Sequence, residues 1–502
     1  MSKWLKLQNG SDIRGVAVEG VAGEPVTLTE VEVQRITAAF AKWLADKSKV
    51  PVEDITIGLG RDSRISGEAL MTAAAHGIQH MGATAYNCGI TSTPSMFMST
   101  IFEETQYTGG IMITASHLPF NRNGLKFFTK DGGLDKPDIK AILTACEDAL
   151  EAPKATGSIP TFDLVDRYAS HLQDIIRKGV NHPDHYDTPL AGLHIIVDAG
   201  NGAGGFYASK VLATLGANTE GSQFLDPDGM FPNHVPNPED NTAMDAIQQA
   251  TIATGADLGI IFDTDVDRAA IVDGGGKIIN RNRLIALMAA IVLEDTPGGT
   301  IVTDSVTSDG LATFIQGLGG VHHRFKRGYK NVINESVRLN NQGTDSPLAI
   351  ETSGHGALKE NYFLDDGAYI VTKTLIALSK LQAEGRKLSD LIADLAEPAE
   401  SKEFRVKIKA ADFGDYGKNV IANLERFVQE NDDLTLVPNN FEGIRIGSSM
   451  DQAEGWMLIR LSLHDPVLPI NIESEQAGGV AQLASRLEAW LKTHDQLDLS
   501  CF

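Results

Sequence analysis

Two short stretches of this 502-residue chain carry residue types that can do chemistry together. In residues 108–128 an apolar run at 111–113 leads into small and polar residues. Pro119, the Asn123-Gly124 pair and a second apolar run at 125–128 follow. This spacing predicts two buried strands, with Ser116, His117 and Lys126 on or beside the loop between them. Loops fixed by rigid flanking elements commonly hold reactive groups. A serine hydroxyl needs a base or a metal to activate it, and His117 and Lys126 are the local candidates. In residues 257–273 another apolar run, 258–262, leads into Asp263-Thr264-Asp265-Val266-Asp267-Arg268 and out into a further apolar run. In an extended segment the three alternate carboxylates point to one side. Their repulsion disfavours that arrangement unless a cation shares the site. All-oxygen donors suit a hard divalent ion, Mg²⁺ before a transition metal. Arg268 at the sixth position excludes an EF-hand loop, which needs glycine there.

These residues resemble a known family, the α-D-phosphohexomutases, which includes phosphoglucomutases, phosphomannomutases and phosphoglucosamine mutases. The family's phosphoserine loop, T-A-S-H-N-P-x-x-x-N-G-x-K, is matched by residues 114–126 except at Leu118. Its metal loop, D-x-D-x-D-R, is matched by residues 263–268. Its sugar-binding E-x-S-G-H is similar to Glu351-Thr352-Ser353-Gly354-His355. Its C-terminal phosphate loop looks like Arg460-Leu461-Ser462-Leu463-His464-Asp465-Pro466. An early G-x-R-G is partly matched around Arg14. Four motifs in the family's order cover nearly the whole chain.

The resemblance implies interconversion of hexose 1-phosphate and hexose 6-phosphate, of glucose and/or mannose. The route is a phosphorylated Ser116 and a hexose 1,6-bisphosphate, which is also the activator. It implies Mg²⁺ held by Ser116, Asp263, Asp265 and Asp267. It implies His117, Lys126, Arg14, Arg268 and His355 as catalytic groups. Lys326, Arg327, Tyr329, Glu351, Ser353, His355, Arg460, Ser462 and His464 are then the substrate-binding set. Gly328-Tyr329 stands where many members have Gly-His, and His464-Asp465 where a threonine is usual, so sugar preference stays open. A hexose-1,6-bisphosphate synthase and a phosphoglucosamine mutase remain as alternatives. A haloacid-dehalogenase-type phosphatase with Asp263 as nucleophile leaves the Ser116 and Arg460 loops unexplained. A non-catalytic sugar-phosphate-binding protein leaves the complete acidic triad unexplained.

The elements that must position these groups repeat. Strand 55–59, polar turn 60–67 and helix 68–80 follow a helix at 31–43. Strand 193–197, turn 198–205 and a helix through 213 come next, then strand 300–302, turn 304–310 and a helix. Three such units imply a repeated domain with mostly parallel sheets covered on both faces. The Gly200–Gly205 turn fits G-x-G-x-x-G, with Glu220 near the position of a ribose-binding acid. The phosphosugar motifs leave a nicotinamide no role, so the turn reads as a tight strand-to-helix entry. A linker at 151–162, a boundary after Gly276 and a hinge at 396–402 divide the chain into 1–155, 156–277, 278–398 and 399–502. The last part changes character, with strands at 404–408, 444–446, 456–463 and 468–472. A helix carrying Val480, Leu483, Leu487 and Leu491 follows. The fold expected from these elements and the resemblance is α/β: three similar α/β domains with mixed, mostly parallel sheets plus a smaller C-terminal α+β domain around a central cleft.

Composition narrows the partners. Asp and Glu number 66 against 43 Lys and Arg, a net charge of −23. That argues against nucleic acid and anionic membrane as partners. A small anionic sugar phosphate then needs a locally basic pocket. Cys88, Cys146 and Cys501 lie far apart, an odd number without C-x-x-C, as in a reduced, cytoplasmic protein. Residues 1–10 show no signal-peptide core, and no run of about 18 apolar residues predicts a membrane span. Oligomeric state leaves no mark in the sequence.

Overall fold

The computed structural model describes residues 2–147, 157–462 and 465–502. It divides into two compact units, Met1–Leu284 with Ser353–Asp390, and Ile285–Thr352 with Leu391–Phe502. Among the described residues no helix is long and apolar enough to cross a membrane.

The first unit opens on a seven-stranded sheet. Its order is Gln8–Asn9, Asp12–Val16, Arg122–Thr129, Gly109–Ile113, Thr56–Arg61 and Thr84–Ile90, with Gly132–Gly133 beside Arg122–Thr129. Helix Glu30–Ser48 covers it, opened by a capping box in which Thr29 and Glu32 satisfy each other's end of the first turn. Val33, Ile36, Phe40 and Leu44 recur at helical spacing and join one core with Ile57, Leu59, Ile111 and Phe127. Each such side chain contributes about 1.5–3 kcal/mol of burial. Helix Gly67–His80 packs beside it, and Thr37 donates to the Ala74 carbonyl at 3.0 Å.

Lys126 lies beside the loop, inside strand Arg122–Thr129, opposite Met112 of Gly109–Ile113. The glycines and serine around the lone Arg14 suggest a turn from composition, but Arg14 does not sit in one. The turn falls at Gly10, and Arg14 lies in strand Asp12–Val16, paired with Gly124. For Arg14 a neighbouring strand offers a ladder of hydrogen bonds, which local polar composition does not reveal.

The second sheet of this unit has the order Ile278–Ile279, Ala269–Asp273, Leu258–Phe262 and Ile195–Asp198. The helix expected through 213 is a π-helical segment, Tyr207–Leu212. The Gly200–Gly205 turn is dictated by packing. A Cβ on Gly202 would lie 2.6 Å from the Thr264 carbonyl oxygen, so glycine lets this turn seat against the acidic loop. Of the predicted linker, residues 151–156 lie outside the described residues, and Thr161 forms a bridge to Asn87.

The second unit carries the parallel strands Val321–Arg324, Thr300–Thr303 and Leu348–Ile350. It also holds a six-stranded antiparallel sheet, Leu434–Leu436, Ile444–Met450, Ala453–Ile459, Val467–Ser474, Glu400–Ile408 and Leu497–Asp498. Helices Phe413–Gln429 and Gly479–Leu491 bury Val420, Leu424, Leu483 and Leu487 on that sheet. The sheets of the α/β parts are mixed. Parallel pairing is confined to the strand–helix–strand crossovers, and hairpins add antiparallel strands, so the parallel share is smaller than the alternation of strands and helices suggests.

Candidate active site

Ser116 follows strand Gly109–Ile113 and takes a left-handed backbone, φ +50°, unusual for a residue with a Cβ. Its amide donates to Thr114 Oγ1 at 2.9 Å. This turns the buried hydroxyl to the acidic loop, where it donates to Asp263 Oδ2 at 3.0 Å. Arg268 Nη2 donates to the same Oγ at 3.1 Å and contacts His117 Nδ1 at 2.6 Å. Arg268 is itself held by Asp263 Oδ2 through Nε at 3.1 Å and by Asn237 Oδ1 through Nη1 at 3.0 Å. Arg14 reaches the loop from its strand, donating to Asp12 Oδ2 at 3.0 Å and to the Ala115 carbonyl at 3.4 Å.

The three carboxylates converge by a different route from the one expected. Residues 263–267 form a turn rather than an extended segment, and Val266 stands at φ +67°. A β-branched residue there costs about 1–3 kcal/mol. The turn gathers ligand oxygens of Asp263, Asp265 and Asp267 within 4.8 Å of one another. Lys126 Nζ donates to Asp267 Oδ2 and lies 3.4 Å from Asp265 Oδ2. Thr93 Oγ1 donates to Asp265 Oδ2 at 2.5 Å. Asp265 Oδ1 and Asp267 Oδ1 are buried and accept no hydrogen bond. Orphaned carboxylate oxygens in an all-oxygen set fit a hard divalent cation.

Burial, with the negative charge of Asp267 and Asp265, raises the Asp263 carboxyl well above its ordinary range. Burial acts the same way on Asp267, but the Lys126 ammonium and the His355 and Arg268 charges outweigh it and hold that group low. His117 is pushed down to about 3 by burial and by Arg268 and Arg14, so it is neutral at neutral pH. His355 is pushed up to about 9. Burial opposes this, but Asp365 and Asp267 overcome it. Its Nδ1 lies 2.5 Å from Asp365 Oδ2, and an isolated bridge pairs it with Arg268.

The second unit holds a separate basic set. The Arg327 and Gly328 amides donate to Glu442 Oε2 at 3.1 Å and to Glu351 Oε1 at 2.5 Å. Arg327 Nε lies 3.8 Å from Asp304 Oδ2. Arg460 Nη1 lies 4.0 Å from Glu442 Oε1, so Arg327 and Arg460 flank one carboxylate. Burial and the Arg327 charge depress the Arg460 guanidinium. The predicted strand at 456–463 ends at Ile459, leaving Arg460 and Ser462 on irregular chain. There Ser462 Oγ accepts from the Asp465 amide at 3.2 Å. His464 lies outside the described residues. Lys326 precedes helix Tyr329–Asn341, which Tyr329 opens. Glu351 belongs to the second unit and Ser353 to the first.

Family models for the phosphoglucomutase/phosphomannomutase α/β/α domains I, II and III match residues 6–152, 166–276 and 280–399. The chain belongs to this family, within the α-D-phosphohexomutases. A phosphomannomutase/phosphoglucomutase of Pseudomonas syringae is 30% identical over 466 residues, covering 91% of this chain and 92% of its own. A phosphoglucomutase of Neisseria gonorrhoeae is 28% identical over 482 residues, with 96% of each covered. A crystal structure of a family protein from Burkholderia thailandensis superposes with a TM-score of 0.78 at 26% identity, over 98% of both chains.

Within this phosphohexomutase fold several polar partners lie outside the motifs. Arg64, 1% exposed, donates to the carbonyls of Ser116, Leu118, Pro119 and Arg122 at 2.5–2.9 Å and pairs with Asp62 at 3.4 Å. Burial pushes the Asp62 carboxyl up to about 6 against the pull of Arg64. Thr93, Asn237 and Asp365 complete the shell within the first unit, and Glu442 is such a partner within the second. The one available signal was the Arg61-Asp62-Ser63-Arg64 run in the polar turn after the first parallel strand.

Proposed function

We propose that this chain interconverts hexose 1-phosphate and hexose 6-phosphate, of glucose and/or mannose, through a phosphorylated Ser116 and a hexose 1,6-bisphosphate intermediate. The observation that carries this reading is the contact of Ser116 Oγ with Asp263 beside two orphaned carboxylate oxygens. Asp263, Asp265, Asp267 and the serine oxygen would hold Mg²⁺. The cation supplies Lewis-acid polarisation of the phosphoryl oxygens.

The residues of the chain do the rest. Ser116 carries the phosphoryl group and yields it to a sugar hydroxyl. Arg268 and Arg14 bind the phosphoryl oxygens, where planar guanidinium groups suit two-point contact. Neutral His117 orders Arg268 without adding charge. Lys126, protonated between Asp267 and Asp265, returns a proton to the leaving oxygen. Once neutral it accepts one from the attacking hydroxyl. His355, oriented by Asp365, is a second proton donor. Glu351 and Ser353 take sugar hydroxyls. Lys326, Arg327, Tyr329, Arg460, Ser462 and His464 take the phosphate that is not reacting. Hexose 1,6-bisphosphate loads the serine of an unphosphorylated chain and so acts as activator. The boundaries 1–155, 156–277, 278–398 and 399–502 are proposed as its domains, and the cytoplasm as its location, in line with free thiols at Cys88, Cys146 and Cys501.

The test offers glucose 1-phosphate, mannose 1-phosphate and glucosamine 1-phosphate with Mg²⁺ and a trace of the 1,6-bisphosphate. Appearance of a 6-phosphate from glucose or mannose is expected. Accumulation of bisphosphate instead identifies a synthase, and turnover of the amino sugar alone a phosphoglucosamine mutase. No turnover, with no phosphoryl group on Ser116, refutes the reading.

A further inference from the structure

Arg64 and Arg268 both hold Ser116, one by its backbone carbonyl and one by its hydroxyl, and a single segment touches both arginines. Gly229 lies against the turn that carries Arg64. A Cβ there would fall 2.4 Å from the Ile65 nitrogen and 2.6 Å from the Ser63 carbonyl oxygen, so the segment is seated with no room to spare. Two residues on, the ring of Phe231 faces the Arg64 guanidinium, with Cζ 5.2 Å from the centroid. At the other end Asn237 Oδ1 accepts from Arg268 Nη1 at 3.0 Å, and Glu239 Oε2 lies 3.7 Å from the same nitrogen. The segment is also pinned to its own domain. The Asp228 amide donates to the Asn201 carbonyl at 2.9 Å, and Asn233 donates to Asn201 Oδ1 at 2.7 Å. His234 Nε2 contacts both Asp198 oxygens at 3.0 Å.

We propose that residues 225–239 form a strap that sets the distance between the Ser116 loop and the acidic triad, with Arg64 and Phe231 as positioning residues. The proposal rests on Ser116 as the phosphoryl carrier. Neither residue touches the reacting atoms. Arg64 fixes four carbonyls of the loop, and the strap keeps Arg64 from swinging out of it. In-line phosphoryl transfer tolerates little misplacement, and about 1 Å costs on the order of a hundredfold in rate.

The experiment compares the full chain with Phe231→Ala and Arg64→Lys at saturating Mg²⁺. Expected is a fall in kcat of about tenfold for Phe231→Ala and about a hundredfold for Arg64→Lys, with KM for the sugar phosphate within about twofold. Hydrogen exchange is read in parallel at the turn amides of Ser116, Leu118 and Arg122. It should rise about tenfold in Phe231→Ala, while strand Thr56–Arg61 is unchanged. Exchange does not depend on turnover, so it decides the strap even if the unsubstituted chain proves to be no mutase. If Arg64→Lys does not fold, Phe231→Ala decides alone. Unchanged exchange at these amides in folded Phe231→Ala overturns the strap. So does an unchanged kcat in that variant when the unsubstituted chain turns over.

Discussion

Ser116 Oγ donates to Asp263 Oδ2 at 3.0 Å, joining residues 147 positions apart in the chain. The hydroxyl that would carry the phosphoryl group and the first carboxylate that would hold the cation are therefore already in contact. Ser116→Ala should lower mutase turnover by about a thousandfold or more. The covalent phosphoryl group should vanish from the intact mass. Asp263→Asn keeps an acceptor for the hydroxyl but removes the charge, and should lose most of the turnover while still folding. Full activity in Ser116→Ala would exclude the phosphoserine route.

Stripping divalent ions should leave the protein folded but less stable, because Asp265 Oδ1 and Asp267 Oδ1 then accept no hydrogen bond. Restoring Mg²⁺ at about a hundred times its dissociation constant should add about 2.7 kcal/mol. Differential scanning calorimetry reads this as a raised midpoint. Asp265→Asn should weaken the shift, and an equal shift in both proteins would remove the triad as the binding site.

Arg460 and Arg327 flank Glu442, and the two guanidinium groups are predicted to take the distal phosphate. Arg460→Ala should raise KM for the sugar phosphate by about thirtyfold to a hundredfold, the equivalent of about 2–3 kcal/mol for a charged hydrogen-bonding pair. The fall in kcat should be smaller. A change in kcat alone, at unaltered KM, would place Arg460 in the chemical step instead.

The candidate groups Ser116 and Asp263 were legible in the sequence because each lies between apolar runs that mark strands. Ser116 and Asp263 needed no more than that. How the carboxylates converge was not legible. Alternation suggested an extended segment, whereas a turn through Val266 at φ +67° does the work, a backbone that the residue type disfavours. The Arg64 clasp was hidden because its partners are carbonyl groups, which every residue has. Glu442 was missed because an acid among residues expected to bind phosphate runs against charge complementarity; here it accepts from the Arg327 amide and lies 4.0 Å from Arg460. Strand membership of Arg14 depended on a partner strand more than 100 residues away, which local pattern does not carry.

The second unit should also show a pH-dependent stability traceable to one side chain. Glu473, 5% exposed, accepts from Trp456 Nε1 at 2.9 Å. Burial pushes its carboxyl up to about 7, against the opposing pull of Arg445. A folded-state value above the unfolded one means that the folded chain keeps its proton while the unfolded chain releases it. The contribution is therefore fully present below about pH 4.5. It is lost as pH rises toward 7, a drop of about 2–3 kcal/mol. Glu473→Gln retains an acceptor for Trp456 and cannot ionise. Urea titrations at pH 5 and pH 8 should show the unsubstituted protein losing stability across that interval and the variant losing less, so that the variant is the more stable of the two at pH 8. Parallel pH profiles for the two proteins would mean that Glu473 ionises as freely folded as unfolded, and that Arg445 and the surrounding polar groups offset its burial in full.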